Sequence, residues 1–166
     1  MAKKKNKNSN LGKLLSFVAL VLGAISVAMI FVSAVTSPDV ETSILTIEGT
    51  SFTGLQIVFG YTENKVECLL FSFVAMLPYL LALAGTVLTA LNAFNKKPSK
   101  LSNLISAISF VAAGVMFFLI PNFMVFGESF TALVLAAIEW KLAIGSIIAG
   151  ACSILAGSAL IVKAVK

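Results

Sequence analysis

The sequence contains no histidine and no arginine, and only 11% of its 166 residues are charged. Without histidine, the commonest general base and the commonest metal ligand are missing. Without arginine, the side chain that best reads phosphates and guanine edges is missing as well. Soluble domains carry about 25% charged residues. We therefore predict a membrane protein with no nucleic-acid partner, no metal and no cofactor.

Cysteine is scarce, and catalytic patterns are absent. Cys68 and Cys152 are too few for a disulfide framework, and we expect no bond between a membrane edge and the interior of a span. The "GESF" at Gly127 lacks the second glycine of a nucleophile elbow. Glu63 and Glu67 share a face only if their segment is helical, and a solvated pair is the simpler interpretation. The sequence predicts that the protein is not an enzyme.

Hydrophobic residues make up 59% of the chain, and four runs are long enough to cross a bilayer, which takes about 20 residues. Backbone groups in hydrocarbon must bond internally, so each run is predicted to be helical. The fold class is therefore an all-α membrane protein, a four-helix bundle that follows a basic arm at 1–13 and occupies 14–166. The predicted helices are 14–35, 69–91, 104–120 and 142–162, with Pro78 expected to kink the second.

Charge is distributed very unevenly between the connections. The two termini and the short loop 92–103 hold ten lysines and no acid: Lys3, Lys4, Lys5, Lys7, Lys13, Lys96, Lys97, Lys100, Lys163 and Lys166. Loops 36–68 and 121–141 hold two lysines and every acid: Lys65, Lys141, Asp39, Glu41, Glu48, Glu63, Glu67, Glu128 and Glu139. Lysine bias in short loops sets orientation. We predict a plasma-membrane protein with both termini in the cytoplasm.

A second interpretation of the N-terminus stays open. A basic arm, an apolar run and Val32-Ser33-Ala34 also fit a signal peptide that is cleaved after Ala34. The apolar run is longer than the usual 7–15 residues of such a region, which favours a retained span. N-terminal sequencing of the purified protein distinguishes the two.

Small residues recur every fourth position in the last run, at Gly145, Ala149, Ser153 and Gly157. This spacing places them on one helical face, where two backbones can approach closely. They are candidate helix-packing residues, either within the bundle or between copies in a homo-oligomer.

The segment from Ile44 to Tyr61 alternates apolar and polar residues, which is typical of strands. The run around Leu45 and Ile47 and the run from Leu55 to Tyr61 are predicted to pair as a hairpin. An isolated hairpin is only marginally stable, so we expect loop 121–141 to pack on it and form a small extracellular cap. Within that loop, Phe130 to Trp140 is either a short helix or a first outer stretch of the fourth helix. Three residues of the segment from Ile44 to Tyr61 are candidates for outer recognition: Glu48, Gln56 and Tyr61. The alternative is that this segment serves only as a structural lid.

This topology resembles that of the claudins: four spans, both termini inside, and a long β-patterned first outer loop before a shorter second one. The resemblance is architectural. The claudin loop signature is Trp, Gly-Leu-Trp and two cysteines, whereas Gly54-Leu55 is followed here by Gln56, and Cys68 is the one later cysteine of the loop. Barrier function is therefore not implied. The chain is also similar to small four-span proteins of Gram-positive and wall-less bacteria, and its Lys- and Asn-rich composition indicates a bacterial origin.

No charged residue lies within the four predicted runs, which argues against an ion-coupled carrier. The sequence favours a non-enzymatic scaffold or accessory subunit that acts through helix or outer-loop assembly. Its expected partners are the lipid bilayer and either a second copy or another membrane protein. The alternative is a passive channel or transport-associated protein, and such a pore would require oligomers because one four-helix bundle leaves no room for a lumen.

Overall fold

The computed structural model describes residues 2–38, 40–41, 46–47, 49–95 and 99–165, with 2–10, 40–41 and 46–47 described by their backbone structure alone. The helices are α1 (Ala2–Ala28), α2 (Gly54–Phe59), α3 (Phe73–Phe94), α4 (Lys100–Phe118), α5 (Phe130–Ala137) and α6 (Ile144–Val165). The strands are β1 (Ser33–Thr36), β2 (Val40–Glu41), β3 (Thr46–Ile47), β4 (Ser51–Thr53), β5 (Tyr61–Glu63), β6 (Val66–Leu69) and β7 (Lys141–Leu142). Two 3₁₀ turns, Met29–Phe31 and Ile120–Phe123, follow α1 and α4.

Four helical segments in this part of the chain are long and apolar enough to cross a membrane: Leu11–Phe31, α3, α4 and α6. Each packs on its neighbours in chain order, and α6 closes the ring against α1. The middle of α1 meets the end of α6, where the Lys163 ammonium donates to the Ser16 hydroxyl. We call this the terminal end of the bundle, and the strands, α2 and α5 form the cap at the opposite end. The mostly helical four-span architecture agrees with the sequence prediction.

Two of the predicted helices are cut short on the cap side: the first ends earlier, and the second begins later, than the hydrophobic runs suggest. The first was expected to reach Val35, but Ser33–Thr36 is strand β1, paired with β4 on one side and β7 on the other. The second was expected to begin at Leu69, which instead ends β6. Both stretches are apolar because they are buried in the cap, and hydropathy does not distinguish a buried strand from the end of a span.

The bundle interior is filled by aromatic rings set against small residues. Phe110 and Phe117 are fully buried, and Tyr79 packs edge-to-face on Phe117 with ring centroids 4.9 Å apart. A Cβ at Gly85 would lie 3.2 Å from the Phe110 ring, so the absence of a side chain there makes room for the ring. Large apolar residues cover the outside of the helices, as expected of a surface that faces lipid: Phe17, Val21, Leu83, Val87, Ile108, Val115, Ile147 and Leu155.

The predicted hairpin in loop 36–68 is wrong. The run from Leu55 to Phe59 belongs to α2, because Thr53 and Gln56 form a reciprocal capping box that starts a helix. Burial at Gly54, Ile57 and Val58 follows helical spacing. β3 pairs with β2, β4 pairs with β1, and the tight hairpin is β5–β6.

Candidate functional site on the cap

The two long loops form one structure, as the sequence predicts. β1 lies between β4 of the first loop and β7 of the second in a three-stranded antiparallel sheet. A second junction runs beside β6, where Leu70 N–H donates to the Val125 carbonyl at 2.8 Å and Gly127 N–H donates to that of Cys68 at 3.2 Å. Backbone hydrogen bonds therefore hold both loops in a fixed relation above the bundle.

The "GESF" segment, which begins at Gly127, has a structural role. A Cβ at this position would collide with the Glu67 carbonyl oxygen, so glycine allows the two backbones to approach. The hydroxyl of Ser129 donates to the same Glu67 carbonyl at 3.2 Å and accepts from Ala132 N–H at 3.1 Å. The segment thus joins β6 to the first turn of α5.

An aromatic cluster forms the centre of the cap. Trp140 lies 5.2 Å from Phe52 and 6.4 Å from Phe126 between ring centroids, and its indole N–H donates to the Leu135 carbonyl at 2.8 Å. Phe52 also packs against Tyr61 at 5.6 Å. Aromatic pairs of this kind contribute about 0.5–1.5 kcal/mol each beyond area burial. The cluster connects the sheet, the β5–β6 hairpin and α5.

The three predicted recognition residues have different positions. Glu48 lies outside the described residues. Tyr61 is half-buried in the aromatic cluster, and Gln56 is half-buried in the capping box, where its Oε1 accepts from the backbone N–H of Thr53 at 2.9 Å. Tyr61 and Gln56 therefore lie on separate elements and both make internal contacts.

The exposed apolar surface of the cap lies on α5. Phe130 and Leu133 are 83% and 59% exposed, and Ala137 is exposed on the same helical face. The opposite face is held by buried Ala132 and by Leu135, which packs against the cap core. Exposed Glu128, Glu139 and Lys141 flank the helix. An apolar centre with a charged rim is the usual anatomy of a protein interface.

The predicted small-residue stripe lies inside the bundle. A Cβ at Gly145 would lie 2.6 Å from the Ser33 carbonyl oxygen, and the Ser26 hydroxyl lies 2.9 Å from the Ala149 carbonyl and 2.6 Å from the Ser153 hydroxyl. Gly157 instead meets α4, where a Cβ would lie 3.0 Å from a backbone carbonyl. Four residues rotate about the helix axis by about 400°, which is about 40° more than one full turn. Successive residues of the stripe therefore shift around α6, so that its earlier residues face α1 and its last residue faces α4.

Sequence reasoning missed a close approach between α4 and α6. Gly114 of α4 faces Gly150 of α6, where an added Cβ on Gly114 would lie 3.0 Å from the Gly150 carbonyl oxygen. Gly150 and Gly157 are seven residues apart and therefore share a face of α6. This spacing is the feature of the sequence that could have predicted the contact with α4. The exposed face of α5 was also missed, because a general apolar character does not reveal which side of a helix is covered.

Both thiols are free, as predicted: Cys68 is buried in β6 and Cys152 is half-buried in α6. Among the residues that the structure describes, no group of three or more His, Cys, Asp or Glu side chains lies close enough to hold a metal ion. Comparison of the chain with protein-family models, with curated proteins and with solved structures found no match.

Proposed function

We propose that the protein is a multi-pass plasma-membrane protein that acts by assembly, as a scaffold or accessory subunit without catalysis. Both termini lie in the cytoplasm and the cap lies outside, as in the claudin-like arrangement. The partner is a protein in the same membrane, either a second copy or another subunit. The observation that carries the proposal is the exposed apolar face of α5, with Phe130 at 83% exposure.

Three features support this surface as a contact site. The Ser129 cap and its bond to Glu67 hold the first turn of α5. Trp140 bonds the Leu135 carbonyl near the other end of the helix. A surface fixed in this way loses little conformational entropy on binding, which favours affinity. Exposed phenylalanine and leucine on one helical face suit a partner with an apolar groove.

Assembly is favoured over conduction by a single bundle. Phe110 and Phe117 fill the interior between the four helices, and Gly85, Gly114 and Gly150 pack directly against rings or backbone. A passive channel would therefore need several copies. Flux of a selected ion or solute through proteoliposomes of the purified protein would contradict the scaffold proposal.

The assembly proposal is tested by crosslinking in native membranes. We expect a discrete crosslinked adduct with a photoreactive residue at Leu133, and differently tagged copies distinguish a homo-oligomer from another partner. Combining Phe130→Ser with Leu133→Ser removes two apolar anchors that contribute more than about 1 kcal/mol each at an interface centre. The double variant is then expected to lower crosslinking through a reactive residue at Ala137 at least tenfold.

Leu55→Ser is the matched control, because Leu55 is an exposed leucine of the cap that lies on α2. It makes the same chemical change away from the proposed contact and is expected to leave crosslinking at wild-type level. Equal crosslinking in the double variant and the wild type would contradict the proposal. Crosslinks to lipid alone would assign the face of α5 to the bilayer surface.

A further inference from the structure

A buried polar network lies at the terminal end of the bundle, opposite the cap. Asn92 of α3 donates from Nδ2 to Asn103 Oδ1 of α4 at 2.6 Å and accepts from Ser99 N–H at 2.9 Å. Ser16 of α1 donates to the Gly12 carbonyl at 3.1 Å. Asn92, Asn103 and Ser16 are 5%, 4% and 3% exposed, so this is an ordered part of the bundle.

The network holds one cation. Lys163 of α6 is half-buried, and its ammonium donates to Ser16 Oγ at 2.6 Å and to Asn103 Oδ1 at 3.1 Å. Both acceptors are neutral. An ammonium has three N–H donors, and in the part of the chain that the structure describes the third has no acceptor. Even partial removal of an ammonium from water is unfavourable when no counter-ion is present, so the arrangement favours an anion at the open donor.

No acidic side chain that the structure describes lies near this position. Glu63, Glu67, Glu128 and Glu139 all lie in the cap at the opposite end, and the sequence has no acidic residue outside 39–67 and 128–139. The surroundings are positive instead. Lys13 lies one turn from Ser16 on α1, and Lys100 lies one turn from Asn103 on α4, each on the same helical face and further out. The N-terminus of α4, which carries positive partial charge, lies at the same end.

We propose that Lys163, held in place by Ser16 and Asn103, binds a phosphate group through its remaining N–H donor, with Lys13 and Lys100 at the outer edge of the site. The phosphate is that of an anionic lipid headgroup, since the site lies at one end of four apolar helices, or that of a soluble phosphate. Basic pockets between helix ends are suited to phospholipid headgroups. The site is independent of assembly through α5, so failure of either proposal leaves the other testable.

The test uses the full chain in nanodiscs of phosphatidylcholine with a minority of phosphatidylglycerol, followed by native mass spectrometry of the retained lipid. The wild type is expected to retain phosphatidylglycerol selectively. Lys163→Gln keeps a polar side chain without charge and is expected to lower that selectivity about fivefold, which corresponds to about 1 kcal/mol for one basic residue. Lys7→Gln is the control, because it removes the same charge from α1 almost two turns beyond Lys13.

A second variant separates the site from a purely structural network. Asn103→Asp supplies a carboxylate to Lys163 from within the chain and still accepts from Asn92. It is expected to raise the thermal unfolding midpoint in pure phosphatidylcholine while abolishing selectivity for phosphatidylglycerol. A network that serves packing alone would leave lipid selectivity unchanged in both Lys163→Gln and Asn103→Asp.

Titration of inorganic phosphate into neutral nanodiscs distinguishes a lipid headgroup from a soluble phosphate as the ligand. A rise in the unfolding midpoint of the wild type that is lost in Lys163→Gln assigns the site to a soluble phosphate. Selective phosphatidylglycerol retention with no response to inorganic phosphate assigns it to a lipid headgroup. No selectivity and no response, or equal losses in Lys163→Gln and Lys7→Gln, would overturn the proposal.

Discussion

At the scale of single residues, the tip of the β5–β6 hairpin carries the clearest conformational cost. Asn64 and Lys65 have positive φ angles of 49° and 68°, as a two-residue turn between Glu63 and Val66 requires. Asparagine tolerates this region, whereas a side chain such as lysine is disfavoured by contact between its Cβ and the backbone. Glycine is the preferred second residue of such turns.

Lys65→Gly is therefore predicted to stabilise the cap by about 1 kcal/mol, because the steric cost of a left-handed lysine is removed. The measurement is chemical unfolding in mild detergent, followed by the fluorescence of Trp140, the one tryptophan of the chain. Trp140 packs on Phe52, which packs on Tyr61 at the base of the hairpin, so its emission reports on this region. Asn64→Ala is the control and is expected to destabilise. Unchanged or lower stability in Lys65→Gly would contradict the steric argument.

At the scale of elements, α2 shows how a local cap determines the structure of an ambiguous segment. Residues 55–61 alternate in a manner typical of a strand, yet the reciprocal bonds between Thr53 and Gln56 satisfy the first free N–H groups of a helix. Val58 then accepts from Ser72 N–H at 3.0 Å through its carbonyl, which ties the end of α2 to the start of α3.

Gln56→Ala is predicted to lower the free energy of unfolding by about 1 kcal/mol, because half of the capping box is lost. Gln56→Glu is expected to keep wild-type stability, because glutamate also suits this position of a capping box. Thermal unfolding in detergent measures both. The pair also tests recognition at Gln56: weaker crosslinking to a partner in Gln56→Glu, with stability intact, would show a role beyond the cap of the helix.

At the scale of the whole molecule, the chain has two chemically different ends. The cap carries the acidic side chains that the structure describes, an aromatic cluster and the exposed face of α5, and the terminal end carries lysines and a buried amide network. The apolar helices between them suit a bilayer. Lysine-rich ends are retained in the cytoplasm, so the distribution of charge predicts the orientation.

Cysteine labelling tests that orientation. In a background with Cys68→Ala and Cys152→Ala, an impermeant maleimide is expected to label Thr62→Cys in intact cells, because Thr62 is exposed on the cap. Asn95→Cys, exposed at the end of α3, is expected to react only after the membrane is permeabilised. The opposite pattern would reverse the proposed topology, and labelling of both in intact cells would contradict the four-span arrangement.

The amino-acid sequence by itself determined the four long helices, since an uncharged run of about 20 residues satisfies its backbone in hydrocarbon by internal bonds. Packing between the two loops could also be predicted, because the apolar content of 121–141 and the low stability of a lone hairpin both require a covering element. The end of the first long helix and the start of the second could not be predicted, because Val35 and Leu69 are apolar whether they lie in a span or in a buried strand.

Tertiary structure alone decided which strands pair, which face of α5 remains exposed, and what surrounds Lys163. β1 pairs with both β4 and β7, and β3 pairs with β2 in a separate two-stranded sheet. Ser16 and Lys163 are 147 positions apart in the chain and meet because the bundle closes α6 against α1. Such contacts depend on the arrangement of distant segments in space, and local periodicity contains no information about it.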